Sequence, residues 1–130
     1  MIKKINFPLS FFLFGIYDIL LGLSFIVFYR NIYKALNITL PNHPGYIFVP
    51  AAFIVCGGIG ELLIAKNPFK NIDLVIIRLL MKLSFAAIVM YCYFTVGIPA
   101  IFLIIAMLSI LGIIKNSIFI YLTKEKISGN

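Results

Sequence analysis

The sequence predicts an all-α integral membrane protein, a four-helix bundle with both termini in the cytoplasm, and three observations support it. Of 130 residues, 63% are hydrophobic and 12% charged, whereas soluble domains hold roughly 45 to 50% apolar and 25% charged residues. Four apolar stretches, 7 to 29, 46 to 65, 74 to 95 and 98 to 122, each supply the roughly 20 residues a helix needs to cross a hydrocarbon layer of about 30 Å. Lys3, Lys4, Lys66, Lys70, Lys124 and Lys126 fall on one side of these spans, and Arg30 and Lys34 on the other. The side richer in lysine and arginine is the cytoplasmic one.

Each element follows from local chemistry. The start, MIKKINFPLSFFLFGIYDILLG, has the basic and apolar order of a signal peptide, but Asp18 interrupts the run and no A-x-A-like site follows, so it reads as a retained first span. Tyr29, Arg30, Tyr33 and Lys34 form an aromatic and basic border suited to the membrane interface, with a short interfacial helix over 30–37. PNHPGY, 41–46, is a turn by its proline and glycine content and leads into span two. In KNPFKNID, Asn67-Pro68 stops span two, and Asn71 or Asp73 is placed to cap span three. FTVGIP, 94–99, carries no charge and reads as the tight outer turn before span four. TKEKISGN closes the chain as a short tail. LSFIVFY in span one and LSFAAIVMY in span three share letters, but those spans run the same way and the match needs a gap, so the chain reads as one domain without a repeat.

Five ionisable residues fall within the spans: Asp18, Glu61, Arg78, Lys82 and Lys115. An intramembrane charge costs several kcal/mol unless paired or hydrated, so such residues mark an interhelical network or a functional site. At 1.5 Å per residue, Glu61 and Arg78 both lie roughly 7 to 9 Å from the cytoplasmic edge. Asp18 and Lys82 both fall near mid-membrane. The expected pairs are therefore Glu61 with Arg78 and Asp18 with Lys82. Arg78 and Lys82 are four apart, on one helical face. Lys115, near the inner end of span four, is placed to snorkel to the interface.

Small residues accompany these charges. Gly15, Asp18 and Gly22 are spaced three and four apart, and Gly57 and Gly58 precede Glu61 by four and three, so each carboxylate sits on a face that another helix can approach closely. Span four offers Ser109, Gly112 and Asn116 at the same spacing. The network is expected either to lock helix register or to line a polar cavity open to the cytoplasm. In the second case Asp18 or Glu61 takes up a proton, or an anionic ligand meets Arg78, Lys82 and Lys115.

Several function classes lose support. Most of the net charge of +7 resides at helix ends and leaves no aromatic-basic face for nucleic acid. Cys56 and Cys92 lie inside spans and form no C-x-x-C pair, so they read as buried free thiols rather than redox or zinc residues. His43, alone between two prolines, reads as a loop residue, because no second histidine completes a metal or bis-histidine haem site. Asn37-Ile38-Thr39 fits a glycosylation sequon, but the isoleucine, lysine and asparagine bias points to an AT-rich bacterial genome and the inner membrane. No phosphate loop, nucleotide fingerprint or nucleophile-base arrangement occurs.

FGIYDILLG in span one, NHPGYIFVPAAFIVCGGIGELLIAKNP through span two and RLLMKLSF opening span three resemble small four-span bacterial membrane proteins of the DoxX-like kind over residues 11–100. Span four departs most, with Lys115 and Asn116 where related proteins often carry a further acid. The resemblance implies a four-helix membrane bundle accessory to membrane redox chemistry, with quinone as the implied cofactor and a membrane redox subunit as partner; a second copy of the chain is the partner expected for a transporter, since four helices enclose little pathway. It transfers no catalytic residue. Small multidrug transporters are similar in length and also carry a carboxylate in span one, as Asp18 does, but their surrounding pattern and a matching cationic ladder are lacking. The leading expectation is a non-catalytic accessory or lipid- or quinone-binding subunit, and the alternative is a small proton-coupled transporter. An enzyme acting on a hydrophobic substrate is the third expectation, resting only on acids and bases that face one cavity.

Overall fold

A computed structural model of the protein describes residues 6–129. These form five helices, α1 (Phe7–Val27), α2 (Tyr29–Ala35), α3 (Gly45–Lys66), α4 (Ile72–Thr95) and α5 (Ala100–Ser128), with no strand among the described residues. Three of them, α1, α3 and α5, are long and apolar enough to cross a membrane. The protein is thus an α-helical membrane protein. Helix α4, 24 residues long, differs in carrying Arg78 and Lys82 inside it and Asp73 in its first turn. Lys3 and Lys4, which contribute to the charge asymmetry across the spans, lie outside the described residues.

The chain divides into two compact units, Met1–Lys66 and Asn67–Asn130. In the first, α1 begins where the Asn6 side chain accepts a hydrogen bond from the Leu9 N–H at 3.1 Å, with proline in the first turn. This relieves one of the unpaired donors that every helix start leaves. Helix α2 closes with Asn37 at φ +58°, while the Ile38 N–H reaches the Tyr33 carbonyl and the Asn37 N–H that of Lys34. That is a Schellman closure, with asparagine tolerating the left-handed position. Tyr29 then packs edge-on against Phe48 at 5.2 Å between centroids, which fixes α2 against the start of α3. His43 is exposed, and its Nδ1 accepts the Gly45 N–H at 3.0 Å, so it orders the turn into α3.

Helices α1 and α3 pack antiparallel along glycines. A Cβ placed on Gly15 would lie 2.8 Å from the Gly58 carbonyl oxygen, and one on Gly58 would lie 2.7 Å from the Gly15 oxygen and 2.9 Å from the Ile19 nitrogen. Gly15 O and Ile19 N are the two ends of one helical hydrogen-bond step. On the other side of the contact, a Cβ on Gly22 would lie 2.7 Å from Ala51 O and 3.1 Å from Val55 N, again one helical step. Each glycine therefore rests directly on the partner helix's backbone, a distance only hydrogen side chains permit.

In the second unit, α4 and α5 pack as a hairpin. The turn uses Gly97 at φ +77°, whose N–H reaches back to the Cys92 carbonyl at 2.9 Å. Asn71 stands at the start of α4 but does not cap it with its side chain; its Nδ2 donates instead to the Asn67 carbonyl at 2.9 Å. The terminal TKEKISGN segment also departs from expectation, because α5 runs on through Ser128. Tyr121 donates to Glu125 at 2.8 Å one turn away, and Lys126 sits 4.9 Å from the centroid of Phe69, whose ring also contacts Phe119. These contacts give the last two turns something to hold, which composition alone does not reveal.

Candidate functional site

In each long helix the buried residues form one narrow face, and the five charges expected inside the spans lie on it. On α1 that face is Phe11, Gly15, Asp18 and Gly22. On α3 it includes Gly57, Gly58, Glu61 and Ile64, with Glu61 fully buried. On α4 it is Val75, Arg78, Lys82, Ala86 and Val89, and on α5 it includes Gly112, Lys115, Asn116, Phe119 and Thr123. The opposite faces are apolar and exposed, among them Leu13, Leu20, Phe53, Ile88, Met107 and Ile114. Faces of that kind suit lipid rather than water.

All five ionisable residues expected inside the spans are buried, as are Gly15, Gly22, Gly57, Gly58 and Gly112. None of the five charged side chains is without a partner. Arg78 additionally donates from Nη1 to the Met81 sulfur at 3.6 Å, a weak contact. The Lys115 side chain is buried, and α5 extends beyond it to Ser128. One expectation changes: Cys56 is exposed and Cys92 is half-buried, both free. Cys56 lies on the side of α3 opposite Gly58, so the face that buries the glycine turns the thiol outward.

The charges segregate by sign. Among the described residues, the first unit buries two carboxylates and no cation, and the second buries Arg78, Lys82 and Lys115 and no carboxylate, since Asp73 and Glu125 are exposed. Their spacing is also regular. Gly15 is level with Gly58 and Gly22 with the Ala51 to Val55 turn, which places Asp18 about four to six residues, roughly 6 to 9 Å, from the level of Glu61. Arg78 and Lys82 are four residues apart on one face, about 6 Å.

No family model, curated protein or solved structure matches the chain.

Asn116 is the polar residue whose state the sequence did not single out. It is fully buried, and neither its amide oxygen nor its amide nitrogen has a hydrogen-bond partner. The other small polar groups on α5 bond to their own helix: Ser109 donates to the Ile105 carbonyl at 3.1 Å and Thr123 to that of Phe119 at 2.8 Å. Its spacing from Gly112 placed Asn116 on the inner face, but an unsatisfied amide depends on what surrounds it in three dimensions.

Proposed function

We propose that the protein is a four-span inner-membrane bundle with both termini in the cytoplasm, in which Glu61 pairs with Arg78 and Asp18 with Lys82. We propose further that it serves as a non-catalytic accessory subunit binding lipid or quinone. One observation carries this reading: two buried carboxylates in one helical unit and three buried cations in the other, each set stepped along its helices at a similar interval. Opposite charges at matched spacing offset each other's desolvation, which neither set could bear alone in hydrocarbon. The apolar outer faces supply the lipid contact, and the DoxX-like resemblance supplies quinone as the redox-linked ligand.

Protein purified in mild detergent is expected to retain stoichiometric lipid or quinone after extensive washing, measured by solvent extraction and mass spectrometry. Retention no greater than that of an unrelated four-span protein would count against the ligand-binding role.

The burial of Asp18 on a glycine face favours a second reading, a proton-coupled transporter acting as a dimer. In reconstituted vesicles, Asp18→Asn would then abolish proton-linked flux while leaving the protein folded. Unchanged flux would remove Asp18 from any such mechanism.

A further inference from the structure

Resting on the lipid-binding reading, we infer that Asn116 and the cations of the α4–α5 hairpin form a site for a phosphomonoester or hydrogen phosphate group. The amide is fully buried, with oxygen and nitrogen both unpartnered. A primary amide offers two N–H donors and an acceptor oxygen, and hydrocarbon supplies no water to satisfy them. Whatever completes it must donate one hydrogen bond and accept another.

The hairpin sets the charge around it. Counting inward from the ends at Thr95 and Ala100, Lys82 is level with Ile113 and Arg78 with Ser117. Lys115 and Asn116 fall between those two levels, so three cations and the amide occupy a band about 6 Å deep. All four side chains are buried, and the hairpin buries no carboxylate. The amide's state does not require any cation to lack a partner.

These two demands select among ligands. A neutral quinone accepts hydrogen bonds but donates none, leaving the amide oxygen unmet. A carboxylic acid can donate and accept at once but must be neutral to do so. A singly protonated phosphate keeps one O–H while carrying negative charge, so it can donate to Oδ1, accept from Nδ2 and answer the cations together. The group can come from a phosphatidic acid headgroup or from free phosphate.

The test uses the full-length protein in phosphatidylcholine nanodiscs with or without phosphatidic acid, and separately with inorganic phosphate, read by thermal stability and by native mass spectrometry. The wild type is expected to gain stability and retain the phosphate-bearing species. Asn116→Leu, which removes the unpartnered amide from an apolar setting, should fold and lose about tenfold or more in affinity. Stabilisation by phosphatidic acid alone assigns the lipid source, and stabilisation by both probes assigns free phosphate access. No response of the wild type to either probe overturns the site, as does equal binding by Asn116→Leu. Should that variant not fold, Lys115→Gln is the second probe, and binding unchanged there overturns the site. Retention of quinone or other lipid without preference for phosphate would defeat this site while leaving the lipid-binding reading intact; retention of no lipid together with no response to inorganic phosphate would defeat both.

Discussion

Gly58→Leu is expected to force α1 away from α3 and to cost about 3 kcal/mol or more, at the upper end of what overpacking a tight contact costs. A Cβ there would lie 2.7 Å from the Gly15 oxygen and 2.9 Å from the Ile19 nitrogen, both backbone atoms of one helical step. Backbone cannot rotate aside as a side chain can, so the helices must separate and every contact along the seam loosens. Gly15 and Gly22 rest on α3 in the same way, so separation at one point disturbs all three. Ala52→Leu, on the exposed side of the same helix, should change stability by less than about 0.5 kcal/mol. Thermal unfolding of both variants in detergent checks this, and a wild-type midpoint for Gly58→Leu would show that the seam is not as close as described.

The second large effect belongs to Glu61. It is fully buried on α3, beside the glycine face and within an apolar helix. Replacing it with glutamine keeps the shape and removes the charge. If Glu61 offsets a buried cation, that cation then stands uncompensated where no water reaches it, and the expected cost is about 3 to 5 kcal/mol. The pair need not stabilise the fold relative to an apolar core, because desolvation consumes most of the attraction. What it contributes is a penalty for removing one member alone, and that penalty distinguishes a pair from two independent polar residues.

Much of this was legible in the sequence because hydrocarbon imposes strict rules. Apolar runs bounded by Asn67-Pro68 and by Gly97 placed the helix ends within a few residues of α3, α4 and the start of α5. Gly15, Gly22 and Gly58 were legible as packing positions because three- and four-residue spacing puts them on one face with Asp18 and Glu61. Burial of all five charges followed from the same spacing. What spacing could not show was contact. The final helix extends to Ser128 through Tyr121–Glu125 and the Phe69 ring, contacts between residues that a hydropathy run treats as tail and turn. Cys56 faces outward because the rotation of α3 is set by Gly58 and Ala51 meeting α1. The unpartnered amide of Asn116 was invisible for the same reason: a sequence shows that a group can form hydrogen bonds, and only the fold shows whether it does.

The most direct test is a double-mutant cycle on Glu61 and Arg78, combining Glu61→Gln with Arg78→Met and measuring unfolding free energy in detergent for the wild type, both singles and the double. A paired network predicts that each single variant loses about 3 to 5 kcal/mol and that the double recovers most of it, a coupling well beyond the roughly 0.5 kcal/mol within which independent sites add. Additive losses in the double variant would contradict the pairing and leave Glu61 and Arg78 with separate partners.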